Sequence, residues 1–97
     1  MYKRQSLYHS NLKDSDLSNS SLRDSNLKGA DLNGANLMNS NLQGADLRGA
    51  KLSHTWITNS KFDGANLDSV ISNGLIGDPK SLPDGWKIED GIFIRSP

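Results

Sequence analysis

Bulky apolar residues recur at every fifth position from Leu7 to Leu67. Eleven of these thirteen positions are Leu, and the other two are Ile57 and Phe62. An α-helix repeats its buried face about every 3.6 residues and a β-strand about every 2, so a five-residue period matches neither. The spacing therefore predicts another kind of fold that gathers these side chains in its interior.

Each five-residue unit contains two further recurring positions. A small residue lies two positions before nearly every bulky one, and a turn-forming residue lies two positions after most of them. The small residues are Ser10, Ser15, Ser20, Ser25, Ala30, Ala35, Ser40, Ala45, Ala50, Thr55, Ser60 and Ala65. The turn formers include Gly29, Gly34, Gly44, Gly49 and Gly64, with Asn or Asp at positions 14, 19, 24, 39 and 59. Because Gly and Asn tolerate positive φ, each unit is predicted to be a short extended segment followed by a corner.

Four such corners return the chain to its starting direction. If each corner turns the chain by roughly a right angle, four units form a closed loop of about twenty residues, and successive loops can stack about 4.8 Å apart, like neighbouring β-strands. The pattern thus predicts an all-β solenoid of about three coils, with the leucine column along its axis.

The units resemble the A(D/N)LxX repeats of the pentapeptide-repeat family. The clearest examples are residues 30–34, 35–37, 45–49 and 65–67. The resemblance covers residues 6–69 and implies a right-handed quadrilateral β-helix. Residues 82–87 and 91–94 are similar to an LPxGWxxxxGxL segment found in bacterial, especially cyanobacterial, members.

The five-residue period stops after residue 69. Residues 86–88 and 92–94 alternate around Glu89, Asp90 and Gly91, and Asp-Gly between apolar runs favours a β-hairpin. We therefore divide the chain into an irregular leader (1–5), a repeat region (6–69) and a C-terminal loop with a hairpin cap (70–97). The hairpin is expected to shield the strand edges of the last coil.

The leader is interpreted either as translated adapter sequence, making the chain a piece of a longer protein, or as an ordinary disordered leader.

Charge and composition limit the kinds of partner that the protein can bind. Eleven Lys and Arg balance eleven Asp and Glu, so the net charge is zero, and no nucleic-acid-binding surface is indicated. Cys is absent, which leaves the redox compartment open. No apolar run approaches the roughly 18 residues that span a bilayer, and no apolar stretch near Met1 resembles an export signal. We expect a soluble, cytoplasmic protein that binds neither nucleic acid nor membrane.

No catalytic, cofactor-binding or metal-binding constellation is apparent. His9 and His54 fall on different sides of the coil, and neither lies near a pair of carboxylates at ligand spacing. The many Ser residues occupy repeat positions, without a nucleophile elbow or an adjacent base. We expect a non-enzymatic protein with no cofactor and no metal.

Trp56 and Met38 form the candidate binding patch. Trp56 directly precedes a bulky position, so its side chain is expected to point outwards, where family members usually have Asn or Asp. Either Trp56 and Met38 bind a partner protein, or the folded-back tail covers Trp56. We favour the second interpretation, because several apolar residues of the tail need a surface to pack on. These residues are Val70, Ile71, Leu75, Ile76 and Trp86.

Two functional classes follow from the resemblance. The first is a structural scaffold or protein-interaction module of unknown partner, with an end-to-end homodimer or a longer chain as further expectations. The second is a DNA mimic that binds DNA gyrase, as in quinolone-resistance proteins of this family. The second is disfavoured because residues 6–69 contain seven Asp against six Lys and Arg, and because three coils are short beside a DNA segment.

Overall fold

The computed structural model describes residues 7–96, which form an all-β structure without an α-helix. Two regular strands occur near the C-terminus, β1 (Trp86–Glu89) and β2 (Ile92–Arg95), while the preceding described residues pair through single bridges. Within the described range, no segment is a helix with the length and apolar character to span a bilayer. The leader predicted for residues 1–5 lies outside the described residues.

The repeat region pairs with itself at a fixed separation of twenty residues. Eleven parallel bridges between residues 11 and 81 each join positions that are twenty residues apart. For example, the Leu32 N–H donates to the Lys51 carbonyl (2.8 Å), and the Lys51 N–H donates to the Ala30 carbonyl (2.9 Å). We call each twenty-residue segment that pairs in this way a coil. The separation of twenty residues equals four of the five-residue units.

A hydrogen-bonded turn forms the corner of a typical unit. The Ala35 N–H donates to the Leu32 carbonyl (3.0 Å), and Gly34 between them has a φ of 72°. Since Asn33 has no positive φ, this geometry is that of a type II turn, which requires a positive φ only at its second central residue. This requirement explains the preference for Gly and Asn two positions after each leucine.

The residue before the bulky position also stabilises the corner. In eight units, an Asn or Asp side-chain oxygen accepts a hydrogen bond from the backbone N–H two residues later. In one of them, Asn36 Oδ1 accepts from the Met38 N–H at 2.9 Å. These Asx turns satisfy a backbone donor that coil pairing leaves free.

The predicted leucine column forms the core. Every bulky position from Leu22 to Leu67 is 0% exposed, and Leu17 is 7% exposed. Leu7 and Leu12, in the first coil, are half-buried. From residue 25 to residue 65 the small residues beside the column are buried as well, and their hydroxyl groups are satisfied. The Ser60 hydroxyl, for instance, donates to the carbonyl three residues earlier at 2.6 Å.

Coil pairing continues beyond residue 69, where the side-chain pattern had suggested the end of the repeat region. Parallel bridges join Ile71, Ile76 and Ser81 to the coil below. In this fourth coil the bulky residues move to the place of the small residue, where Val70 is half-buried and Leu75 is 9% exposed. Ser72 and Gly77 take two of the central positions instead. The backbone therefore keeps its path although the leucine period has ended.

The predicted hairpin forms and lies on the end of the fourth coil. Asp90 and Gly91 connect β1 and β2, and both have positive φ, as a type I′ turn requires. The Gly91 carbonyl accepts a hydrogen bond from the Leu75 N–H (3.0 Å). Phe93 is 5% exposed and meets Phe62 edge to face, with ring centroids 5.5 Å apart. Phe93 thus closes the end of the leucine column.

Polar contacts hold the hairpin against the coil. The Phe93 N–H donates to Ser72 Oγ at 3.0 Å. Arg95 forms an ion pair with Asp68 and lies 5.0 Å from the ring centroid of Trp86. Trp86 is half-buried and packs on the core, so it anchors the hairpin on the coil.

Candidate protein-interaction surface

Trp56 and Met38 lie on the same outer side of the stack. We call this side, formed by residues 15–19, 35–39, 55–59 and 75–79, the Trp56 side. The Trp56 side chain is 45% exposed, and Met38 is half-buried. Trp56 pairs with Asn36 in the coil below, two positions from Met38. The structure therefore brings the two predicted residues onto one surface in adjacent coils.

Ile76 adds a further large apolar side chain to this side. It forms the parallel bridge with Trp56 from the coil above and is 37% exposed. Ile71, on the adjacent side of the fourth coil, is 51% exposed. The end of the leucine period had placed both isoleucines in the predicted C-terminal loop. Continuing the five-residue frame past residue 69 would have put both at the outward-facing position.

The expectation that the tail covers Trp56 is wrong. The hairpin packs on the open end of the leucine column, through Phe93 and Trp86, and leaves Trp56 exposed. The tail residues Ile71 and Ile76 do not fold back either, because they form the next coil. Without the hairpin, core side chains at the end of the column would meet water, and burying them is favourable in proportion to their apolar area.

Trp56 does not stabilise its own corner in the way its neighbours do. Most units have Asn or Asp at this position, whose side chain accepts a backbone hydrogen bond. Trp56 offers no such acceptor, and the Thr58 N–H has no hydrogen-bond acceptor within residues 7–96. Local turn stability therefore gives no reason for a tryptophan at this site.

The Trp56 side carries negative charge only. Asp16 and Asp78 are its charged residues, and it contains no Lys or Arg. Asp16 accepts hydrogen bonds from the Ser18 hydroxyl (2.6 Å) and the Ser18 N–H (3.0 Å), which lower the pKa of Asp16 from its ordinary value. This side thus presents apolar residues between Asp16 in the first coil and Asp78 in the fourth.

An amide ladder borders the same side. Asn59 Nδ2 donates to Asn39 Oδ1 at 2.9 Å, from one coil to the next at the same corner. Amide stacking of this kind stabilises parallel coils. We therefore interpret the ladder as structural.

The described residues offer no enclosed site for a small ligand. Between residues 7 and 96, no group of three or more His, Asp or Glu is placed to hold a metal ion, and no pocket is formed. His9 and His54 lie at different corners, each beside a glycine of the next coil. Surface contact is the kind of binding that this part of the chain supports.

The model of the pentapeptide-repeat family matches this chain over residues 6–44 and 45–71, with eight repeat copies. The match covers more than half of the sequence, so the chain belongs to the pentapeptide-repeat family. Proteins of this family are generally non-catalytic structural repeat proteins. No curated protein matches the sequence.

Solved structures of other pentapeptide-repeat proteins are similar to this chain. Rfr23 of the cyanobacterium Cyanothece 51142 is 33% identical, with 84% of this chain and 62% of that protein covered and a TM-score of 0.49. The alr5209 protein of Nostoc Pcc 7120 is 28% identical, with 88% and 75% covered and a TM-score of 0.39. A protein of the Arabidopsis thaliana thylakoid lumen is 25% identical, with 81% and 67% covered and a TM-score of 0.36. The chain spans less than two thirds of the length of Rfr23.

Proposed function

We propose that the protein is a right-handed quadrilateral β-helix that acts as a non-enzymatic protein-interaction module. The twenty-residue pairing, with four corners in each full coil, supports this architecture, and so does membership of the family. Such a scaffold is stiff, because each coil is bonded to its neighbours by backbone hydrogen bonds. A stiff surface loses little conformational entropy on binding.

The observation that carries the proposal is the stacking of two large exposed apolar side chains, Trp56 and Ile76, in adjacent coils. Tryptophan is enriched among the residues that contribute most to protein interfaces. Neither side chain is explained by the core or by the corners. Leaving an indole and an isoleucine side by side in water costs free energy that a partner surface recovers.

The chemistry of the Trp56 side indicates the kind of partner. Asp16 and Asp78 give it negative charge, without a compensating Lys or Arg on the same side. A complementary surface would place an apolar group against Trp56 and Ile76, with Lys or Arg around it. The proposed partner is therefore a protein with a basic rim around an apolar patch. A cytoplasmic location and end-to-end association of two copies stay predictions of the sequence.

A capture experiment with matched variants tests this function. Trp56→Asn removes the indole and introduces the residue found one coil below, at position 36. Lys51→Asn changes the same unit position in the same coil on the adjacent side, and it serves as the control. Both variants should keep the melting temperature close to that of the wild type, as is usual for surface substitutions.

A protein captured by the wild type and by Lys51→Asn, but lost with Trp56→Asn, is the expected result. The purified partner should then bind in calorimetry, with an affinity at least about tenfold lower for Trp56→Asn, as for a typical hot-spot residue. Equal recovery with Trp56→Asn would rule out this surface.

A further inference from the structure

Two Asn-Gly pairs occupy the same corner in different coils. Asn33–Gly34 lies in the second coil, and Asn73–Gly74 lies forty residues later in the fourth. The glycines have similar φ values, 72° and 69°. Asn-Gly is chemically labile, because the Gly nitrogen can attack the Asn side chain without hindrance from a β-carbon. The shared corner makes the two pairs a natural comparison.

Three hydrogen bonds hold the Asn33–Gly34 corner, and the first two engage the groups that would react. The Gly34 N–H donates to the Ser53 carbonyl (2.9 Å), which engages the nucleophile. The Asn33 Oδ1 accepts from the Ser53 N–H (2.9 Å), which holds the amide that would be attacked. The Ala35 N–H closes the turn onto the Leu32 carbonyl (3.0 Å). Attack within this pair requires the second and third coils to separate.

None of these three bonds exists at Asn73–Gly74. Within residues 7–96, no acceptor receives the Gly74 N–H, and the Asn73 side-chain amide has no partner. The Leu75 N–H donates to the Gly91 carbonyl instead of closing the turn. Asn73 and Gly74 are exposed, whereas Asn33 and Gly34 are half-buried.

The structure assigns Asn73 as a site of spontaneous deamidation. The Gly74 nitrogen attacks Cγ of Asn73 and loses its proton to solvent, while the Cγ–Nδ2 bond breaks and Nδ2 takes up a proton from solvent and leaves as ammonia. Water then opens the resulting succinimide at either carbonyl, giving aspartate or isoaspartate at position 73. The net change is the replacement of ammonia by water, with no redox step.

The product would lie beneath the C-terminal cap. A β-carbon built on Gly91 would be 3.2 Å from Gly74 Cα and 3.1 Å from the Leu75 nitrogen, so the hairpin turn rests directly on this corner. The Asn73 carbonyl also accepts the His54 N–H at 2.7 Å. Isoaspartate inserts an extra methylene into this backbone and adds a negative charge to a chain of zero net charge.

The wild-type chain contains its own control. The folded protein is incubated in mildly alkaline buffer below its melting temperature, and samples are taken over time. Trypsin releases Asn33 within residues 29–48 and Asn73 within residues 62–80. Mass spectrometry locates the increase of about 1 Da in each peptide. A parallel sample in concentrated urea reports the rates of the two pairs without the fold.

We expect Asn73 to convert at least about tenfold faster than Asn33 in the folded protein, because the Gly nitrogen and the Asn side-chain amide are both hydrogen-bonded to the next coil only at Asn33–Gly34. In urea the two rates should be similar, which assigns the difference to the structure. Equal rates in the folded protein, or faster conversion of Asn33, would overturn the assignment. An unmodified Asn73 in the folded sample, with conversion of both sites in urea, would also overturn it.

Discussion

Phe93→Ala tests whether the hairpin caps the leucine column. The Phe93 ring is 5% exposed and contacts Phe62, whose own side chain is 0% exposed. Removing the ring should uncover the top of the core and loosen the hairpin. Ile92→Ala is the matched control, because Ile92 is the adjacent residue of β2 and is 36% exposed on the other face of the hairpin.

The magnitude follows from the burial of the ring. Truncating a buried Phe to Ala costs about 3–5 kcal/mol. Phe93 lies at the end of the column, where water can fill the space left behind, so we expect a loss near the lower value, about 3 kcal/mol. For a chain of this size, that loss lowers the melting temperature by about 10–25 °C. Ile92→Ala should cost about 1 kcal/mol or less, since it removes partly exposed apolar area.

Thermal unfolding measures the loss of stability in the two variants, and hydrogen exchange shows where in the stack it occurs. Exchange should speed up first in the fourth coil, at the N–H groups of Ile71 and Ile76, which donate to Ala50 and Thr55. The lower coils should stay protected, because a stacked repeat opens from its ends. Equal melting temperatures for Phe93→Ala and Ile92→Ala would refute the capping role. Uniform loss of protection along the stack would contradict opening from the end.

Three further predictions concern the corners, the ion pairs and the gyrase alternative. Gly34→Ala and Gly49→Ala each put a methyl group on a residue with a φ near +70°, at a cost of about 1–2 kcal/mol. Only the new methyl group at position 34 would also clash with a side chain, that of Asp14. Gly34→Ala should therefore give the lower urea midpoint, and Asp14→Ala should remove the difference; identical midpoints for the two single variants would contradict this. The Arg48 guanidinium is hydrogen-bonded to Asp46 at 2.7 and 2.9 Å and lowers the pKa of Asp46. The stabilisation that this pair gives the folded state is therefore present above the unfolded pKa of about 3.9, and it disappears as the pH falls through the lower folded pKa. The urea midpoint of Arg48→Gln should fall less than that of the wild type between about pH 5 and about pH 2. An equal fall would mean that other groups cause the acid sensitivity. In a gyrase supercoiling assay with quinolone we expect no protection, because the repeat region carries nearly balanced charge, and protection at near-stoichiometric protein would restore the DNA-mimic hypothesis.

Regular side-chain periods made most of the coil predictable. A leucine every five residues, with Gly or Asn at the corner, is enough to predict the twenty-residue coil, since corner geometry is a local property of the backbone. The hairpin was predictable for the same reason, because Asp90-Gly91 suits a type I′ turn. These features depend on residues within a few positions of one another.

The fourth coil and the exposed surface depend on residues that are far apart in the sequence. Val70 and Leu75 leave the leucine period, so the pattern of bulky residues ends before the stack does, whereas backbone pairing with the third coil continues to Ser81. The neighbour of Trp56 is Ile76, twenty residues later, and its exposure depends on where the hairpin packs. The hairpin packs on the end of the column through Phe93 and Trp86, where it buries core side chains and leaves Trp56 exposed. The pattern within each five-residue unit is enough to predict the local corner geometry. Whether the tail covers Trp56 or the end of the column depends instead on contacts between the coils and the cap.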